Sequence, residues 1–223
     1  MRRPGLVLLV LLAAAAEPEA NLFANGGFEE WLDLDDAQAR REGVQRVELV
    51  PPHRCPAYWF PAREAAADQG PTATVALDEQ VRHGGARSVR ITNRAMRDIT
   101  LVGYNTERFS RQPDDPHHIR PNRRYQIRWW VKGQDVDPNG TGPLLMMFVT
   151  SGPDGHLERA YDYERTAPPT GTFDWQQRRF SFTTGPAARW LNVTLQLRWT
   201  TGTIWLDDAE LLDRGPVVPV DTY

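Results

Sequence analysis

Four stretches of the chain alternate apolar and polar residues with a period of two. Arg87–Thr92 turns Val89 and Ile91 to one side and Ser88, Arg90 and Thr92 to the other. Tyr125–Lys132 sets Tyr125, Ile127, Trp129 and Val131 against Gln126, Arg128, Trp130 and Lys132. Trp190–Trp199 sets Leu191, Val193, Leu195, Leu197 and Trp199 against Asn192, Thr194, Gln196 and Arg198, and Thr203–Leu211 turns Ile204 and Leu206 inward. Period-two runs rich in β-branched and aromatic residues are half-buried antiparallel strands. Leu144–Thr150 is more continuously apolar, which predicts a central strand. Turn-forming residues punctuate these runs at His83-Gly84-Gly85, Pro121-Asn122, Asp137-Pro138-Asn139-Gly140, Pro153-Asp154-Gly155 and Gly185-Pro186. The one helix the pattern predicts is Asp35–Glu42, short and polar. Many strands without βαβ alternation predict an all-β antiparallel sandwich of the jelly-roll kind. No internal repeat, linker or second domain is expected, and the stretch after Asp213 reads as an extended tail, residues 214–223.

The start of the chain has a different character. Arg2 and Arg3 precede an apolar core, Leu6–Leu12, and Ala14-Ala15-Ala16 offers small residues for cleavage, the pattern of a secretory signal peptide over residues 1–20. Gly5–Ala16 is well short of the ~20 residues that span a bilayer, and no second apolar run follows. Export to a periplasmic or extracellular space is therefore expected, with residues 21–213 as the folded unit.

Charge narrows the function classes. The 223 residues hold 26 Lys+Arg and 29 Asp+Glu, a net charge of −3. A nucleic-acid binder working through a basic surface would show the opposite excess. Lys132 is the only lysine. One cysteine, Cys55, excludes an intramolecular disulfide framework and a cysteine-based zinc cluster.

Five blocks then carry a family resemblance. Asn21-Leu22-Phe23-Ala24-Asn25-Gly26-Gly27-Phe28-Glu29 resembles the opening "N-L-x-x-N-x-G-F-E" of carbohydrate-binding modules of the family four/nine and twenty-two type. His83–Ile91 resembles their "H-S-G-x-x-S-L-R-I" strand, and Pro121–Gly133 their "P-N-T-x-Y-x-L-S-F-W-V-K-G". Phe173-Asp174-Trp175 through Phe182 resembles "W-x-x-x-x-x-F-x-F", and Trp205–Leu211 the closing "Y-I-D-D-V-x-L". The blocks run in the family's order and span nearly all of residues 21–213. The resemblance implies a galactose-binding-like jelly roll with one structural calcium. It implies binding of a β-glucan, xylan or related polysaccharide without catalysis, normally beside a glycoside hydrolase. No hydrolase is present in this chain, so such a partner would be separately encoded. Asp33–Gln80 matches the family little, apart from Tyr58-Trp59 near its usual "G-W".

The chemistry of these residues is consistent with that expectation. Glu29 on the first strand, with Asp207 and Asp208 on the last, supplies hard oxygens that adjacent terminal strands would bring together. Calcium takes 6–8 such ligands, carboxylate and carbonyl alike; which aspartate ligates is open, and solvated or arginine-paired carboxylates are the other reading. Pyranose rings pack on aromatic faces while their hydroxyls pair with polar side chains. Trp130 shares its strand face with Gln126, Arg128 and Lys132, opposite the core parity, so it is either a sugar platform or a satellite core residue under a loop. Gln196, Arg198 and Asn192 could line the same surface. Tyr58, Trp59, Tyr104, Tyr161 and Tyr163 form a second tier of aromatic candidates, while Trp175, Trp205, Phe28 and Trp199 are assigned to packing. No G-x-S-x-G, phosphate loop or H-E-x-x-H occurs. Asp114-Asp115 with His117-His118 lacks the spacing that converges on one ion, and no carboxylate pair stands out for glycoside hydrolysis. The expectation is a polysaccharide-binding module, with a structural or adhesion module contacting envelope protein, or a small glycan-active hydrolase, as alternatives.

Overall fold

The alternating segments fold as strands whose buried parity follows the sequence pattern. The computed structural model describes residues 20–33, 48–49, 54–64, 73–106, 118–151, 156–162 and 166–217. The signal-peptide, short-helix, Tyr163 and Asp114–His117 expectations lie outside these residues. The described strands are β1 (Trp31–Asp33), β2 (Glu48–Leu49), β3 (Arg54–Pro56), β4 (Phe60–Glu64), β5 (Ala73–Asp78), β6 (Ser88–Asn93), β7 (Ile99–Asn105), β8 (Arg123–Val136), β9 (Gly142–Ser151), β10 (His156–Tyr161), β11 (Gly171–Thr183), β12 (Ala188–Arg198) and β13 (Gly202–Pro216). They make a six-stranded sheet in the order β11-β8-β13-β6-β5-β2, a five-stranded sheet in the order β10-β9-β12-β7-β4, and the small pair β1-β3. All pairings are antiparallel except the short β2–β5 contact. The fold is an all-β jelly-roll sandwich.

The core lies between the two large sheets. The six-stranded sheet contributes Val89, Ile91, Tyr125, Ile127, Trp129, Val131, Ile204 and Leu206, and the five-stranded sheet contributes Val102, Leu145, Met147, Leu191, Val193, Leu195 and Leu197. β9 is buried on both faces, as its continuous apolar run predicts, but it lies one strand in from the edge; β12 is the middle strand. β13 carries the chain through Pro216, where a tail was expected from residue 214, and Val217 N–H still bonds Asn122 C=O at 2.9 Å. No helix among the described residues is long and apolar enough to cross a membrane.

The first sequence block docks against the last. Asn21 Nδ2 donates to Ala209 C=O at 2.9 Å, and its Oδ1 accepts from the Phe23 and Leu211 N–H groups. Asn25, at φ 50°, uses its amide to hold Glu30 and Ala57. A Cβ on Gly26 would stand 1.9 Å from Ala209 O, so only glycine allows this approach. The two asparagines thus act as backbone clamps, which gives that motif a structural reason.

An inter-sheet ion pair closes one edge of the sandwich. Arg178 of β11 points inward and donates to Asp162 Oδ2 at 2.7 Å, and Asp162 Oδ1 accepts from Leu145 N–H at 2.8 Å. Arg178 also donates to the Thr166 and Ala167 carbonyls. Both side chains are buried.

Candidate functional site

The three carboxylates singled out for metal binding meet at one loop. Asp207 is wholly buried; its Oδ2 accepts from the His83 and Gly84 N–H groups at 2.8 and 3.1 Å, and its Oδ1 from Asp208 N–H at 2.8 Å. Burial pushes the Asp207 carboxyl up to about 6 against the pull of those donors, and the neighbouring Asp208 charge adds to the rise. Asp207 is therefore an anchor for the 83–87 loop, with three backbone N–H groups on its carboxylate. Glu29 accepts from Ala86 N–H at 2.9 Å, and Asp208 Oδ2 pairs with His83 Nδ1 at 2.7 Å. Glycines let these two carboxylates in: a Cβ on Gly84 would stand 2.6 Å from Asp208 Oδ2, and one on Gly85 1.8 Å from Glu29 Oε1. Gly27 lies beside both carboxylates. Among the described residues no three of His, Cys, Asp and Glu form a metal-holding group. Glu29 and Asp208 fit as a pair of hard oxygens at a glycine-lined spot, and backbone carbonyls and water would have to complete a calcium shell.

The outer face of the six-stranded sheet holds Gln126, Arg128, Trp130 and Lys132, as parity predicts. Trp129 is buried and Trp130 half-buried on the opposite side. A cleft of about 350 Å³ is lined by Arg128, Trp130, Gln177, Asp208 and Glu210. Its polar groups, however, are matched to one another. Arg128 Nε donates to Glu210 Oε2 at 2.7 Å, and Lys132 Nζ to Asp174 Oδ1 at 2.7 Å. The Lys132 hydrogen bond and charge hold the Asp174 carboxyl below its usual range. Gln126 bonds Ser181 and accepts from Arg214. Trp130 itself is covered: His83 stacks on it at 3.8 Å and 17°, and Trp175 meets His83 edge-on at 5.6 Å.

The outer face of the five-stranded sheet is built differently. Asn192, Thr194, Gln196 and Arg198 alternate outward along β12, a row about 20 Å long at the rise of a strand. Gln196 and Arg198 thus lie on the opposite side of the sandwich from Trp130, not on one surface with it. Beside the row, Phe60 of β4 lies over Gly103, where a Cβ would stand 2.3 Å from its ring, and Phe148 of β9 carries Arg159 at 5.5 Å above its centroid. The middle is tightly closed, with Gln196 1% exposed and its Nε2 donating to Thr194 Oγ1 at 2.6 Å. At one end Asn192 Oδ1 is buried without a hydrogen-bond partner. The other end is more open: Trp199 is 48% exposed, with the Arg198 guanidinium 4.1 Å above its ring centroid. Trp199 leaves the strand alternation because its φ is 46°, which turns an indole assigned to the core out to solvent.

No protein-family model and no curated protein matches this sequence. Solved structures do. The chain is similar to the enzymatically active domain of tailspike protein 4 of bacteriophage CBA120, at 12% identity and TM-score 0.53, over 86% of this chain and 21% of that one. It spans about a fifth of that tailspike chain, and the likeness is one of fold. Other structures found are the CBM22-1 xylan-binding domain from Paenibacillus barcinonensis Xyn10C, at 12% identity and TM-score 0.44 over 68% of this chain and 85% of that one. A family 4 carbohydrate-binding module is similar at 17% identity and TM-score 0.46 over 86% of this chain and 99% of that one. The shared architecture is the jelly roll.

On that architecture the candidate residues sort into four places. Gln126, Arg128 and Trp130 stand together on the six-stranded sheet. Gln196 and Arg198 stand together on the five-stranded sheet. Tyr58 is 42% exposed, in the turn leading into β4. Trp59 and Tyr104, expected as second-tier glycan contacts, are core residues. Trp59 packs within about 5 Å of Phe23, Phe28 and Tyr104, and its Nε1 donates to Ala24 C=O. His118 is also buried, edge-on to Trp190 at 4.8 Å. Sequence reasoning missed Trp199 and Phe148 as surface aromatics and His83 as the cover on Trp130. The His83-Gly84-Gly85 turn was a visible signal for the last.

Proposed function

We propose that this chain is an exported, non-catalytic carbohydrate-binding module that holds a β-glucan or xylan-like polysaccharide on the outer face of its five-stranded sheet. One observation carries the placement. An exposed indole plate, Trp199, stands beside the polar row Asn192–Arg198, whereas the polar groups of the opposite face satisfy one another and its Trp130 is capped. Stacking on Trp199 would supply affinity, and the half-buried Arg198 beside it would orient hydroxyls, with the buried Gln196 setting the position of its guanidinium. The five sequence blocks support the function class, and a separately encoded glycoside hydrolase is the expected companion. Calcium belongs to the same proposal as a structural ion, with its carboxylate ligands narrowed to Glu29 and Asp208.

The placement is tested by retention of the full chain on insoluble xylan and β-glucan. Trp199→Ala should weaken retention about tenfold or more, by analogy with aromatic stacking of bases, while Trp130→Ala leaves it unchanged. The reverse result moves the site to the cleft beside Arg128 and Gln177. Loss of neither, with retention intact, removes both faces, and no retention on any glycan ends the reading.

A further inference from the structure

We infer that the site prefers a polysaccharide bearing carboxylates, a uronate-containing chain, over a neutral one; this rests on the placement at the five-stranded sheet proposed above. The argument is one of unmatched charge. On the six-stranded sheet three half-buried cations have close carboxylate partners: Arg123 with Asp213, Arg128 with Glu210 and Lys132 with Asp174, each at 2.7 Å. Arg198 differs. No carboxylate of the described residues pairs with it. Its hydrogen bond is a 3.3 Å contact from Nη1 to the neutral Gln196 Oε1, and its guanidinium lies on the Trp199 ring.

β7, β9 and β12 contain no Asp or Glu. Glu158 of β10 opposes Val149, which opposes Leu191, so it stands at the far end of the sheet from Arg198.

A guanidinium held over an indole has fewer rotamers left to lose, and its fork of donors suits a carboxylate bound through two parallel hydrogen bonds. A neutral hydroxyl would use one of those donors and leave the charge uncompensated. The chain is acidic overall, at −3, so general attraction to a polyanion is not expected. Selectivity would come from this local cation.

The test compares glucuronoxylan with the same polymer after carboxyl reduction, and polygalacturonate with β-glucan, by isothermal titration with the full chain at low and high salt. The expected result is at least about tenfold tighter binding to the carboxylate form, weakening in high salt, and loss of that difference in Arg198→Gln at an unchanged melting temperature. Equal binding to native and carboxyl-reduced glucuronoxylan, or tighter binding to β-glucan than to either acidic polymer, overturns the inference and leaves the carbohydrate-binding reading standing. A carboxylate preference that survives in Arg198→Gln also overturns it. Binding to none of the polymers overturns both.

Discussion

Replacing Arg178 by methionine isolates an ion pair buried between the sheets. Methionine fills much of the volume of the aliphatic stem, so the lost interactions are chiefly polar. Asp162 keeps its Leu145 N–H bond but loses the guanidinium at 2.7 Å, and the Thr166 and Ala167 carbonyls lose their donor. Stranding a buried charge in this way costs about 3–5 kcal/mol, which in a chain of this size lowers Tm by roughly 6–20 °C. The sign with pH is also determined. Burial, the dominant influence, already raises the Asp162 carboxyl above its ordinary value in spite of Arg178. An acid raised in the folded state contributes stability that is full below its unfolded value, near 3.8, and is lost as pH rises through its folded value. Without Arg178 the rise is larger, so Arg178→Met should be weakest at neutral pH and should close the gap to wild type as the solution is acidified. Asp162→Asn in the same background keeps an acceptor for Leu145 and removes the charge, recovering part of the loss. Urea midpoints at several pH values measure all three proteins. A loss below about 1 kcal/mol, or one independent of pH, would refute the account of a charge held between the sheets.

Trp129→Ala should cost about 3–5 kcal/mol as a core truncation, while Trp130→Ala should lose only its stack with His83, about 1 kcal/mol; equal urea midpoints would contradict the face assignment. Trp59→Ala should destabilise like Trp129→Ala, because its ring is core, and a glycan-binding defect at unchanged stability would contradict that placement. For calcium, saturation at 100 times the dissociation constant should stabilise the fold by about 2.7 kcal/mol. EDTA should therefore lower the melting temperature, and Glu29→Ala should abolish that response; superimposable curves for metal-stripped and calcium-loaded protein remove the ion from the proposal. Export should leave a mature N-terminus between Glu17 and Asn21, read by terminal sequencing, and secreted protein beginning at Met1 would contradict the leader.

Strand identity and parity were legible along the chain because a strand's side-chain period is local. The alternation at Tyr125–Lys132 is enough to put Trp129 in the core and Trp130 outside it, and Leu191–Leu197 inward. The asparagines and glycines of the first block stood out as a motif, and the docking onto Ala209 gives the reason for them. Tertiary structure decided which strands share a sheet. β8 and β12 carry similar patterns, and nothing local distinguishes the face of Gln126, Arg128 and Trp130 from that of Gln196 and Arg198. Pairing of β12 with β7 and β9, and of β8 with β11 and β13, sets them on opposite sides. The same long-range packing drew Trp59 and Tyr104 into the core, where no periodicity announced them. A single left-handed residue at the end of β12 turned Trp199 outward against its own pattern. Side-chain partnering was equally invisible, since Arg128 and Arg198 read alike in sequence. Only the neighbouring strands, which bring Glu210 to the first and leave the second on the neutral Gln196 and the Trp199 ring, set the two apart.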